Sequence, residues 1–184
     1  MKSILSFVVL TLILFVSTSS LQAQTPPKFQ TPILISSAGQ SADVTMAAML
    51  CKKQNLNAKV VAIAKPSDLD GFKTLLLVPG FSSKGLGAAG TSREDEMTRT
   101  KKLLAAAKEK NIMILTMHLG GKPRRGQQSD DFNKIAAEAA SYLIVVKQGD
   151  EDQFFSKLAA DNKIPIEVVA KIADVMKPLA AAFK

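Results

Sequence analysis

Thr74-Leu75-Leu76-Leu77-Val78-Pro79-Gly80-Phe81-Ser82-Ser83-Lys84-Gly85-Leu86-Gly87-Ala88-Ala89-Gly90 is the stretch from which the fold is read. A short unbroken apolar run closed by Pro and Gly reads as a strand buried on both faces, the kind found in parallel sheets. Four glycines, two serines and one lysine follow within residues 80–90. Glycine admits the positive φ angles that turn successive backbone N–H groups to one side, so this segment reads as a binding loop. A charged helix comes next, opening at Thr91 or Ser92. Thr91 with Glu94, and Ser92 with Asp95, both have capping-box spacing.

Working outward, the same alternation recurs. Pro32-Ile33-Leu34-Ile35-Ser36-Ser37 is an earlier buried strand, which exits through Ala38-Gly39-Gln40-Ser41 into a helix capped by Ser41 or Asp43. Residues 59–63 are the second strand and residues 73–78 the third. The fourth, residues 112–117, exits through His118-Leu119-Gly120-Gly121-Lys122-Pro123-Arg124-Arg125-Gly126, the most basic loop of the chain. Ser129 or Asp130 caps the helix that follows, and residues 142–146 are the fifth strand. Pro165 stands near the first turn of a last helix, along which Val168, Ile172, Val175, Met176 and Leu179 recur. These elements predict a three-layer α/β sandwich with a five-stranded parallel sheet in the flavodoxin-like, Rossmann-like order 2-1-3-4-5. Ligands in such sheets sit beyond the C-terminal strand ends where the order reverses, here between strands one and three. The loops after strands one, three and four then share one rim.

The chain has 184 residues and a formal net charge of +8. Lys2, an apolar run from Phe7 to Val16 and small residues ending at Ala23 read as a signal peptide over residues 1–23. Residues 24–184 then form one α/β domain, secreted or periplasmic, with no stable membrane insertion after cleavage. The basic balance suits a small anionic ligand, whereas nucleic acid is disfavoured by the absence of Trp, the single Tyr and the lack of any long basic run. Cys51, the one cysteine, lies with Val44, Ala47 and Ala48 at helical spacing and reads as a buried apolar residue.

Gly85-Leu86-Gly87-Ala88-Ala89-Gly90 spells G-x-G-x-x-G, yet it follows the third strand rather than the first and no acidic residue closes the next strand. It therefore implies no dinucleotide. Gly80 and Gly85 have P-loop spacing, but Leu86-Gly87 stand where Lys and Ser or Thr are needed. No cofactor and no metal-ligand cluster is expected. His118, the only histidine, ends the fourth strand and is the candidate catalytic group if the protein is an enzyme; no G-x-S-x-G elbow accompanies it. Arg124 and Arg125 offer planar forks suited to carboxylate or phosphate.

The blocks around Ser36-Ser37-Ala38-Gly39-Gln40-Ser41, Ser82-Ser83-Lys84-Gly85-Leu86-Gly87 and His118-Leu119-Gly120-Gly121-Lys122-Pro123-Arg124-Arg125-Gly126 resemble an uncharacterised family of exported bacterial α/β proteins, a domain of unknown function. The resemblance spans the mature chain and implies an envelope location and a common fold, with no known activity. Residues 68–80 also resemble, loosely, the third-strand region of glutamine-amidotransferase-like proteins; the cysteine nucleophile those place after a later strand has no counterpart here. The residues support three readings. The first is an exported binding protein for a small carboxylate or phosphate, held by Ser36, Ser37, Gly39, Gln40, Ser41, Ser82, Ser83, Lys84, Gly85, Gly87, Gly90, His118, Gly120, Gly121, Arg124 and Arg125. The second is an exported hydrolase-like enzyme using His118. The third is an envelope accessory protein that docks a partner protein.

Overall fold

Six strands pair side by side in one parallel sheet, ordered β2-β1-β3-β4-β5-β6, the inner four buried throughout or nearly so and the edge strands β2 and β6 partly exposed. They are β1 (Ile33–Ala38), β2 (Ala58–Val60), β3 (Thr74–Pro79), β4 (Met113–His118), β5 (Tyr142–Val146) and β6 (Ile166–Val169). The computed structural model describes residues 27–183, so the expected signal peptide lies outside the described residues. Helices α1 (Asp43–Lys53) and α6 (Met176–Ala182) cover one face, packing Val44, Ala47, Leu50, Cys51 and Leu179 on Ile33, Ile35, Leu76, Val78, Leu115 and Met117. Helices α3 (Arg93–Glu109) and α4 (Gln127–Glu138) cover the other, where Leu103, Leu104, Phe132 and Ala136 meet Leu34, Leu75, Leu77 and Ile114. Helix α5 (Phe154–Asn162) sets Phe155 and Ala159 on Leu143 and Val145. Both faces are therefore apolar, as the unbroken runs require.

Several local expectations hold. Ser92 caps α3 in reciprocal contact with Asp95, its hydroxyl donating to the Asp95 carboxylate and accepting the Asp95 N–H. Cys51 is fully buried, and burial pushes its thiol up to about 11. An un-ionised thiol at neutral pH is a packing residue.

Two expectations are corrected. The sheet has six strands rather than five: Ile166–Val169, assigned from spacing to the last helix, pairs in parallel with Leu143–Val146. Val168, Ile172, Val175 and Leu179 do fall at helical spacing, but Ile166, Val168 and Val169 are β-branched and find an open sheet edge. The second correction falls on the segment that opened the sequence reading. Ser83–Ala89 is a helix, α2, and not a loop with free amides. Ser82 caps it by accepting the Gly85 N–H at 3.1 Å, and Gly90 ends it at φ 61°.

Gly85 is needed there for a packing reason. A Cβ at Gly85 would lie 2.0 Å from the Gln40 carbonyl oxygen, whereas one at Gly87 would meet nothing within 4 Å. Gly85→Ala must displace α2 from the β1 exit loop and should cost about 1–3 kcal/mol, lowering the melting midpoint by roughly 2–12 °C. Gly87→Ala should raise stability by about 0.5–1 kcal/mol, since alanine is the better helix former. Thermal unfolding of the two variants checks the contrast, and equal effects would contradict the close contact at Gly85.

Candidate functional site

The exits of β1 and β3 approach so closely that the expected crevice between them is closed. Gln40 and Phe81 form an antiparallel bridge, the Gly80 N–H donates to the Ala38 carbonyl at 2.9 Å, and the Ser82 N–H donates to the Gly39 carbonyl at 2.8 Å. Gly39 adopts φ 100°, and a side chain there would strike the Gly80 carbonyl. Its N–H donates to Glu96 Oε1 at 2.9 Å. Glu96 and Arg99, on one face of α3, form an almost fully buried ion pair. Arg99 also donates to the carbonyls of Ala64 and Ser37. A buried pair holds only when its remaining donors and acceptors are satisfied, and here the exit backbones of β1 and β2 satisfy them. Neither residue carries a sequence signal for this role, because a charged pair three apart on a helix usually faces water.

Most of the expected serines and glycines serve this closure. Ser36 donates to the Ala62 carbonyl and accepts the Ala64 N–H, and Ser41 accepts the Asp43 N–H. Ser83 and Lys84 lie exposed on the first turn of α2, where Lys84 makes no ion pair among the described residues. Two buried polar atoms stay unpartnered at the β1 exit: Ser37 Oγ and Gln40 Nε2, the latter on a residue only 8% exposed at φ 60°. Buried donors without acceptors are uncommon in folded proteins.

The two neighbouring arginines diverge. Arg125 is saturated. Its guanidinium donates to Asp130 and Asp152 from both edges and to the Gly149 carbonyl, and it lies 4.4 Å from the centre of the Phe154 ring. The Arg125 hydrogen bond holds the Asp152 carboxyl down at about 2, and the two acids hold the guanidinium firmly charged. Arg125 thus ties the β4 exit to the start of α5 and has no donor left for a ligand. Arg124 keeps one. Its Nη1 donates to the Phe81 carbonyl at 3.0 Å and its Nε reaches Asp43 Oδ2 at only 3.4 Å. Nη2 makes no hydrogen bond among the described residues. The Arg124 side chain is 26% exposed and that of Asp43 is 24% exposed. The stem of Arg124 lies against Gly80 and Gly120, where any side chain would collide with it.

His118 is sealed. Its Nε2 contacts the Gly121 carbonyl at 3.3 Å, its ring lies 4.7 Å from that of Phe155, and Gly149 covers its edge so closely that a Cβ would fall 2.4 Å from the ring. Its Nδ1 has no hydrogen-bond partner among the described residues. No serine hydroxyl is hydrogen-bonded to it among the described residues. Ser37 is directed to the opposite face, since it pairs in register with Val78 of the α1-side core while His118 stacks on α5. The glycines thus divide into Gly39 and Gly85 for backbone approach, Gly80 and Gly120 for the stem of Arg124, Gly121 for Gln148, and Gly149 for His118.

Comparison with known proteins gives a family and no activity. A family model described as a domain of unknown function (DUF6305) matches residues 30–183. No curated protein matches the chain. Among solved structures, the AlinE4 esterase of the SGNH-hydrolase family is 12% identical over 79% of each chain, with a TM-score of 0.31. A GDSL-like lipase from Bacteroides thetaiotaomicron is 10% identical over 73% of this chain and 65% of its own, with a TM-score of 0.34. Likeness at that level carries no argument about chemistry.

Burial lowers His118 from 6.5 to about 4. The folded ring is therefore neutral where the unfolded chain already binds a proton, and stability falls as pH drops from about 6.5 to about 4, by roughly 3 kcal/mol in all. Above about pH 6.5 the ring is neutral in both states and this effect vanishes. Urea unfolding at pH 7, 5.5 and 4 should show that loss, and His118→Phe should flatten it whatever its absolute stability. An unchanged pH slope in the variant would place the acid sensitivity on other groups.

Proposed function

The chain belongs to the family described as a domain of unknown function (DUF6305), whose description assigns no activity, and we propose from the rim itself that it is an exported binding protein for a small anionic solute. The observation that carries this reading is the contrast between the two arginines. Arg125 has every donor committed inside the protein, whereas Arg124, a quarter exposed at the strand-end rim, leaves Nη2 without a hydrogen bond among the described residues, with Gln40 Nε2 and Ser37 Oγ buried and likewise unpartnered on the adjoining β1 exit. A guanidinium edge accepts a carboxylate or phosphate oxygen, and a hydrogen bond to a charged group is worth about 1.5–3 kcal/mol net. Glu96 and Arg99 hold the Gly39 backbone fixed, so the donors do not have to be ordered when a ligand arrives.

The readings of a hydrolase-like enzyme and of a docking protein have less support. The His118 ring is enclosed by Gly121, Gly149 and Phe155, and no nucleophile stands beside it among the described residues. Export rests on the apolar amino-terminal segment alone.

Calorimetric titration with acetate and inorganic phosphate, followed by a wider set of organic acids, tests the proposal. Arg124→Ala should weaken binding about 10- to 150-fold, the equivalent of 1.5–3 kcal/mol, and Lys84→Ala should change it little. Arg125→Ala should instead lower the melting midpoint, because it removes an internal tie. Saturation at about a hundred times the dissociation constant should raise that midpoint by roughly 5–10 °C. Affinity that survives Arg124→Ala would move the site elsewhere, and no binding across the set would end the anion reading.

A further inference from the structure

We infer that the ligand is a zwitterion, of the α-amino acid class, rather than a bare anion. The inference rests on the rim reading above and deepens it. Asp43, the first residue of α1, stands beside Arg124 with its Oδ2 3.4 Å from Nε, at the long end for an ion pair. Gly120 underlies both: a Cβ there would lie 2.0 Å from Arg124 Cγ and 2.5 Å from Asp43 Oδ2. The two charges are thus seated side by side by one backbone contact, each about a quarter exposed. Each also keeps an unused atom, since neither Arg124 Nη2 nor Asp43 Oδ1 makes a hydrogen bond among the described residues.

A bare anion drawn to Nη2 meets the neighbouring Asp43 carboxylate, which repels it, and a phosphate dianion is repelled about twice as strongly. An ammonium on the carbon next to the ligand's carboxylate turns that repulsion into attraction. The ligand carboxylate then takes Nη2 while its ammonium donates to Oδ1. Gln40 Nε2, on a residue more than nine-tenths buried, is an unpartnered donor, and the Gln40 backbone is bridged to Phe81, whose carbonyl holds Arg124.

The test compares glycine with acetate, N-acetylglycine and inorganic phosphate by calorimetry on the intact chain. Glycine and acetate differ by the ammonium alone, and N-acetylglycine keeps the carboxylate while removing the positive charge. Glycine should bind at least about tenfold more tightly than the other three, and Asp43→Asn should bring the glycine-to-acetate ratio to within about twofold. The comparison with N-acetylglycine uses the unaltered protein, so it decides the matter even if Asp43→Asn does not fold. Binding of acetate or phosphate that depends on Arg124, with glycine no tighter, overturns the zwitterion and leaves the anion site standing. A glycine preference that persists in Asp43→Asn also overturns it. Absence of binding by all four overturns the zwitterion, and the wider set of organic acids then decides the anion site.

Discussion

Everything on the rim follows from how near two backbones come at the ends of β1 and β3. Gly39 lies against the Gly80 carbonyl and Gly85 against the Gln40 carbonyl, distances that only residues without a Cβ permit. Strand order reverses at this point, and in open parallel sheets reversal leaves a crevice that ligands commonly occupy. Here the Gln40–Phe81 bridge and the cap of α2 fill that crevice with backbone. The polar chemistry is displaced sideways, onto the loop after β4, where Arg124 leans over Gly80 and Gly120. The usual site of the architecture is thus closed by backbone.

Electrostatics divides the labour within that loop. Two unit charges about 4 Å apart interact by roughly 4 kcal/mol at the effective dielectric of a protein surface, so a guanidinium with two carboxylates in contact is held more firmly than one with a single distant partner. Arg125 is the first kind, locked between Asp130, Asp152 and the Phe154 ring. Arg124 is the second, with one carboxylate at 3.4 Å and one carbonyl. Adjacent residues of the same type are therefore held differently: Arg125 joins two exits of the sheet, and Arg124 leaves Nη2 without a hydrogen bond among the described residues.

The ion pair of Glu96 and Arg99 supplies the rigidity this arrangement needs. It crosses from α3 to three backbone groups at the ends of β1 and β2, satisfying in the interior what water would otherwise satisfy. Removing one member would leave a buried, unpaired charge, so the two act as a unit. Gln40, at a positive φ that is costly for a residue with a Cβ, is kept in place by this brace and by the bridge to Phe81.

The sequence by itself determined the parallel α/β architecture, the order of its first five strands, the Ser92 cap and the burial of Cys51. Each is written in a local or periodic pattern: runs such as Leu75-Leu76-Leu77 have no polar face to offer water, and a cap needs only a hydroxyl three residues before its partner. Only the tertiary structure decided that Ile166–Val169 joins the sheet, because helical and strand spacings coincide there and an open edge broke the tie. It also decided what the glycines are for, since Gly85 and Gly87 look alike in sequence and differ only in the backbone that Gly85 meets. The same holds for the arginines. Arg124 and Arg125 are neighbours in the chain, but the carboxylates that claim or spare them come from Asp43, Asp130 and Asp152 on three different helices or loops, and a linear pattern carries no measure of which acid will arrive beside which base.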